Sequence, residues 1–460
     1  MAGEPPPAGA GPSPSSKKNV LLATVLGTTI EWYDFNIYGI AAALVLGAHF
    51  FPKLSDTAGT IAAFATFAIG FIARPFGAAL FGHFGDRVGR KQSLVYSILL
   101  VGLGTFFIGL LPTYEDAGIW APVLLVACRI IQSIGVGGEW GGAALMAAEH
   151  APAKRRGFFV GWPQFGSPVG LLLANAVFFG LRAVTSNDQF LDWGWRIPFL
   201  LSLILVVVGL VIRLRLPESP VFERMKRAGE VERVPILTIF RSYRRQVALI
   251  AGAHLLNTTA FFLTTVYTLS YMRTIPSLAS HGEIALLAQV SGAVAMAIGI
   301  PALCYASDRF GRKAVILPFH LTWIVWIWPM FWLIDLGTVT ATVIAVTVGT
   351  FLTSGYGPLG AQYLEQFDTR VRYTGAGFAQ YIGSIFGGGF SPLLATQLNA
   401  WGGIAAVQGY VVAVAVVASA CVWLMRDAAG MELHELDDLD DVSKARDTVA
   451  SPAAVAAVPR

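Results

Sequence analysis

Glu31, Asp34, Arg74, Arg129 and Glu139 stand inside stretches of sequence that are otherwise apolar. Each costs about 2.5–3.5 kcal/mol at the centre of a membrane helix, so residues of this kind face a protein interior, pair with one another or line a wet cavity. Glu31 and Asp34 are three residues apart, on one helix face. Arginine stays charged in proteins, so only the carboxylates of such a group can gain or lose charge with pH. Three acids against two arginines leave one negative charge in excess. That set suits proton coupling, with Asp34 as first choice of carrier, Glu31 second and Glu139 a further candidate. The alternative is a static helix-to-helix ion pair, Glu31 or Glu139 with Arg74.

A buried arginine in such a set suits a carboxylate ligand, because its planar fork makes two charge-assisted hydrogen bonds. Arg74 and Arg129 are the candidates, and Arg129 opens the run R-x-x-Q-S-x-G that contains Gln132. A clamp on a backbone carbonyl or a neighbouring helix is an equal alternative for Arg129. Tyr38, Gln132, Trp162, Gln164, Asn257, Gln380 and Tyr381 are candidates for the remaining substrate contacts. Asn257 and Gln380 lead in the second half, because a buried amide needs partners.

These residues require elements that can hold them in a bilayer. The chain has 460 residues, 55% hydrophobic and 13% charged, with a mean hydropathy of +0.62. Its long continuous apolar runs lack the alternation of barrel strands, so the expected class is an all-α membrane protein. Twelve spans are expected at roughly 20–46, 57–82, 92–112, 119–146, 157–182 and 195–213, then 246–272, 283–305, 314–335, 338–362, 374–398 and 404–425. They form two six-helix bundles, 20–213 and 246–426, joined by a linker over 214–245. A Pro/Gly/Ser-rich tail, 1–19, and a tail with an acidic patch, 427–460, flank them. Lys and Arg gather in alternate loops, which places both termini in the cytoplasm. Trp193, Trp195 and Trp401 are expected as interfacial anchors.

One decapeptide occurs twice, GHFGDRVGRK at 82–91 and CYASDRFGRK at 304–313. Both copies join apolar runs by a tight basic turn, and their separation of about half a chain indicates an internal duplication. Gly82, Asp86, Arg87, Gly89 and Arg90, with Asp308, Arg309, Gly311 and Arg312, form a candidate cytoplasmic gate. Cys128, Cys304 and Cys421 are far apart and show no metal or disulfide pattern. A nucleotide-binding loop, a metal-ligand cluster and a nucleophile constellation are all missing from the sequence, which argues against an enzyme.

The two decapeptides resemble the cytoplasmic loop signature of the major facilitator superfamily, and RIIQSIG is similar to its span 4 arginine motif, with Ser133 where glycine is usual. GTTIEWYDFNIYG, FFP, ATFAIGFIARPFGA, GGEWGGAAL, WGWRIPF, ESPVFE and VRYTGAG resemble the metabolite:proton symporter family, from span 1 to span 11. The stretch APVLLVACRIIQSIGVGGEWGGAALMAAEHAP looks most like the shikimate-type branch. The resemblance implies two six-helix bundles with alternating access, Asp86 at the gate, and import driven by the proton gradient. It implies small polar substrates: organic acids, shikimate-like hydroxy acids, or zwitterions such as proline and betaine. Osmoprotectant members carry a long C-terminal coiled coil that this tail lacks.

The expected function is proton symport of a small carboxylate-bearing metabolite by a monomer in the bacterial cytoplasmic membrane. No cofactor, metal or nucleic acid is expected; the partners are the substrate, the proton and the lipid bilayer. Uptake of a zwitterionic osmolyte, efflux by proton antiport and a non-transporting membrane sensor are the alternatives.

Overall fold

A computed structural model describes residues 14–214, 235–279, 282–433, 435 and 436. Of the expected tails and linker, residues 1–13, 215–234, 434 and 437–460 therefore lie outside the described residues.

The described chain is helical with no strand. Apolar helices of this length satisfy every backbone donor and acceptor internally, as hydrocarbon requires. Span 1 is Pro14–Ala41, continued through Ala42–Leu46 to Gly47–Phe50. Spans 2 and 3 are Asp56–Arg87 and Arg90–Leu110. Span 4 is Trp120–Gly137 and Glu139–Glu149, span 5 is Arg156–Val184, and span 6 is Ile197–Leu214. The linker contributes a short helix, Pro235–Ser242. Span 7 runs from Arg244–Phe262 through Leu263–Tyr267 to Thr268–Met272. Spans 8 and 9 are Gly282–Phe310 and Arg312–Asp335. Span 10 is Val339–Leu352, Thr353–Gly355 and Tyr356–Leu364. Span 11 begins at Arg372–Ser384 and Ile385–Gly389 and continues into Ser391–Leu424, where Gly402 and Gly403 leave helical geometry and turn the chain back into span 12.

The duplication shows in the irregular places as well as the regular ones. Spans 1 and 7 both widen into a π-helical turn in their final third, at Ala42–Leu46 and Leu263–Tyr267. Spans 4 and 10 both break, at Gly138 and at Thr353–Gly355. Gly89 and Gly311 sit at φ 145° and φ 96° at the same point of the two basic turns, a region that L side chains avoid. Wide turns and breaks of this kind gather at functional sites, because they free backbone groups that something else must satisfy.

Trp193 is exposed and Trp401 is 79% exposed. Trp195 is not an anchor. It is fully buried, with its ring stacked on His49 at 5.7 Å and edge-on to Phe50 and Phe199.

Spans 2 and 4 touch backbone to backbone. A Cβ on Gly77 would stand 2.1 Å from the Ile134 carbonyl oxygen, whereas one on Gly180 meets nothing within 4 Å. Gly77→Val should destabilise the protein by about 1–3 kcal/mol through overpacking. Thermal unfolding in detergent should show a lowered midpoint for Gly77→Val and an unchanged one for Gly180→Ala.

Candidate functional site

Arg74 lies midway along span 2, buried, with its guanidinium 3.8 Å from the Phe35 ring centre and 3.6 Å from that of Phe71. Two aromatic faces hold a cation by the attraction of its charge to their quadrupoles. The Tyr381 ring of span 11 lies 5.9 Å away. Nε and Nη2 of Arg74 have no hydrogen-bond partner within the protein. Glu31 is buried on span 1, within electrostatic range of Arg74, and its Oε2 is also unpartnered. Gln380 donates to the Tyr356 hydroxyl at 3.5 Å and leaves its Oε1 free. Both amide atoms of buried Gln164 are free, and its Nε2 faces Gly360 on span 10. Spans 1, 2, 5, 10 and 11 thus converge on one buried set of polar atoms that the protein itself does not satisfy. Buried polar groups are normally hydrogen-bonded, so such a concentration points to a ligand position.

Asp34 and Arg129 form a second centre inside the first bundle. Asp34 Oδ2 accepts from the Thr105 hydroxyl of span 3 at 2.8 Å. Gln132 Nε2 donates to the same hydroxyl oxygen at 2.5 Å, and Arg129 Nη1 donates to Gln132 Oε1. Arg129 lies over the Tyr38 ring at 3.9 Å, and the Tyr38 hydroxyl is hydrogen-bonded to Thr66. Arg129, Gln132 and Tyr38, expected among the substrate contacts, therefore stand around Asp34, apart from the Arg74 set.

Glu139 belongs to a third arrangement. It is fully buried and pairs with Arg213 at the end of span 6, whose Nη1 also donates to the Leu94 carbonyl at 2.6 Å. Gly27 of span 1 lies directly over this pair, where a Cβ would meet Arg213 at 2.0 Å. Nothing in the sequence singles out Arg213. Only the packing of spans 1, 4 and 6 makes it an interior charge, and it removes the one-charge excess counted from the sequence.

Asn257 is buried on span 7. Trp162 is half-buried and packs edge-on against Phe158 and Phe165 of its own helix, not with the Arg74 set. His254 of span 7 lies with its ring tilted 5.8 Å from that of Tyr356 and its Nδ1 3.4 Å from the Tyr363 hydroxyl.

At the end bearing the two basic turns, the bundles are latched by hydrogen bonds and charge. Asp308 accepts from the backbone N–H groups of Gly157 and Phe158 at 2.8 and 2.7 Å, capping the first turn of span 5. Arg312, fully buried, pairs with Asp308 at 2.7 Å and Glu365 at 3.1 Å, and Arg156 reaches Glu365 at 3.1 Å. Tyr373 and Tyr381 of span 11 donate to the carbonyls of Gly138 and Val136, which the break in span 4 leaves available. Gly82 faces Thr374 of span 11 so closely that a Cβ would lie 2.6 Å from its hydroxyl. Arg87 and Arg309 are exposed, and the side chains of Asp86 and Arg90 lie outside the described residues. Beyond the Arg74 set, towards the opposite end, the contacts are aromatic: Trp32 on Phe261 at 4.8 Å, and Phe67 and Phe71 on Phe262 at 5.5 Å each. Both sides of the Arg74 set are therefore bridged between bundles.

A chain of twelve membrane helices in two bundles, with unsatisfied polar groups between them, is a transporter of the major facilitator type. The sugar (and other) transporter family matches residues 20–234. The inner membrane metabolite transport protein YhjE of Escherichia coli is 39% identical over 412 residues, spanning 87% of this chain and 92% of that protein. The shikimate transporter of Escherichia coli is 35% identical over 423 residues, 90% of this chain and 95% of its own length. The solved structure of the proton:xylose symporter XylE bound to 6-bromo-6-deoxy-D-glucose has the same fold, with a TM-score of 0.74 at 20% identity over 92% of this chain and 99% of that one. The chain belongs to the family of metabolite transporters represented by YhjE and the shikimate transporter, has the major facilitator fold, and is a multi-pass membrane protein, not an enzyme.

Glu365 holds two buried guanidinium groups from opposite bundles. Glu365→Gln leaves Arg156 without a carboxylate and Arg312 with Asp308 alone, and breaking a buried pair in this way costs about 3–5 kcal/mol. The cost falls on the latched state. A cysteine replacing Gln164, in a background without Cys128, Cys304 and Cys421, should therefore react faster with a reagent applied from the basic end in Glu365→Gln than with Glu365 intact.

Proposed function

We propose that this protein imports a small carboxylate-bearing metabolite together with a proton, by alternating access between the two bundles, 20–213 and 246–426. The observation that carries the reading is the Arg74 guanidinium, held against the Phe35 and Phe71 rings with two donors free. A carboxylate laid against those donors gains charge-assisted bonds without displacing any protein partner. Gln164, Gln380 and Tyr356 supply donors and acceptors for hydroxyl groups, and the Tyr381 ring lies 5.9 Å from the guanidinium.

Charge balance supports coupling to a proton. The first bundle buries Glu31, Asp34 and Glu139 against Arg74, Arg129 and Arg213. A monoanion bound there adds one negative charge in a place where charge is costly. One proton taken up by a carboxylate restores the balance, and the loaded protein then moves a neutral unit, free of the roughly 2.3 kcal/mol per charge per 100 mV that the membrane potential would impose. Asp34 is the carrier, since its Oδ1 is unpartnered and it has no direct arginine contact, while Glu139 is held by Arg213. Glu31, beside Arg74, senses the ligand.

Asp308, Arg312, Glu365 and Arg156 form the cytoplasmic gate, with the turns around Gly82–Arg90 and Arg309–Gly311. Both termini are cytoplasmic, the membrane is the bacterial inner membrane, and the protein works as a monomer. A zwitterionic substrate is the second reading: the unpartnered Glu31 Oε2 beside Arg74 could take an ammonium group.

Uptake of labelled shikimate, a monocarboxylate and betaine into right-side-out vesicles separates these readings. An inward proton gradient should drive accumulation of a carboxylate. Asp34→Asn should abolish that accumulation and leave exchange, and Arg74→Gln should abolish both. Accumulation undiminished in Asp34→Asn would overturn the assignment of the carrier, and betaine uptake lost in Glu31→Gln would favour the zwitterion.

A further inference from the structure

The chain Arg129–Gln132–Thr105–Asp34 has only one consistent direction. Arginine is a donor at every nitrogen, so the atom of Gln132 that meets Arg129 must be its carbonyl oxygen, and the amide nitrogen must face Thr105. Thr105 Oγ1 therefore accepts from Gln132 and cannot donate to it. Its single proton has two acceptors in reach: Asp34 Oδ2 at 2.8 Å, and the carbonyl of Val101 one turn back on its own helix at 2.9 Å. It can serve one at a time. The spans are close enough for this because Gly104 replaces a side chain at their contact: a Cβ there would stand 2.8 Å from Cβ of Gln132.

We infer that Thr105 is a positioning residue for proton coupling, a hydroxyl switch on span 3 that reads the protonation of Asp34. The inference rests on the reading of Asp34 as carrier. With Asp34 ionised, the Thr105 proton points to the carboxylate. When Asp34 takes a proton from solution, its new O–H donates to Thr105 Oγ1, and the Thr105 proton turns to the Val101 carbonyl. The Thr105 hydroxyl keeps a donor and an acceptor in both states, and nothing but the carried proton enters or leaves. Gln132, anchored by Arg129, keeps the threonine oxygen in place throughout, so Arg129 acts on the proton through the amide.

The other charged groups around Asp34 are accounted for. Glu31 lies on the same helix and Tyr33 beside it, Arg129 and Glu139 face it from span 4, and Arg213 from span 6 is engaged with Glu139. Arg74 of span 2 faces Glu31. Span 5 packs along span 1 and carries its charged residues, Arg156 and Arg182, at its two ends.

Infrared difference spectra of the full-length protein in lipid, titrated with acid, report the carbonyl stretch of a protonated carboxyl without any substrate. A component present with Asp34 intact should be missing from the spectra of Asp34→Asn, and that component is the band followed below; spectra that are the same in the two proteins remove the carrier reading itself. In Thr105→Val the midpoint of the band should move by about one pH unit or more to higher pH, a tenfold change in proton affinity, because the ionised carboxylate has lost a donor. The band should also move to higher frequency, because the protonated form has lost its acceptor. Thr105→Ser should restore both. Gln132→Met, which releases the threonine oxygen while leaving its hydroxyl, should shift the midpoint too and serves if Thr105→Val does not fold. If Asp34→Asn removes the band while Thr105→Val and Gln132→Met titrate like the protein with Thr105 and Gln132 intact, the switch is overturned and the carrier stands.

Discussion

Three carboxylates and three guanidinium groups share the interior of spans 1, 2, 4 and 6, and the rest of the molecule is arranged around keeping them out of hydrocarbon. An isolated charge there is expensive, so each has been given a different kind of compensation. Glu139 and Arg213 pair directly. Asp34 and Arg129 are joined through Thr105 and Gln132. Arg74 rests between two aromatic rings beside Glu31, with donors to spare. The three solutions grade from closed to open. The closed pair welds spans 4 and 6 under Gly27, and the open one leaves two guanidinium nitrogens of Arg74 without a partner.

Aromatic contact and ionic contact divide the bundle interface between them. At the basic end, Asp308, Arg312, Arg156 and Glu365 join the bundles with charge and directed hydrogen bonds. Towards the other end Trp32, Phe67 and Phe71 meet Phe261 and Phe262 by edge-to-face contact. Such rings slide and re-pack at small cost, whereas a buried ion network holds one geometry until it is broken. The two ends of the bundle interface are thus closed by forces of different stiffness.

Broken helices supply the remaining contacts. Gly138 interrupts span 4 and leaves the carbonyls of Val136 and Gly138 to the hydroxyls of Tyr381 and Tyr373. Since span 4 also carries Arg129, Gln132 and Glu139, the buried Asp34 network and the latch at the basic end share one helix. A bundle that shifted at span 11 would act on span 4 through those two tyrosines.

Much of this was legible in the amino-acid sequence, for physical reasons that operate locally. Continuous apolar runs fixed the helices and their number, because a bilayer leaves no other economical backbone. The repeated turn announced the duplication, and the cost of burying charge singled out Glu31, Asp34, Arg74, Arg129 and Glu139 before any fold was known. Partners were another matter. Nothing in the sequence singled out Arg213 or Thr105, Trp195 looked like an anchor, and Arg129 could not be told from Arg74 as a substrate ligand. Each of those roles depends on which helix faces which, and a sequence says that a charge must be compensated without saying by whom. The tertiary structure decided it, because glycines at Gly27, Gly77 and Gly104 let particular helices approach to within a hydrogen bond of one another.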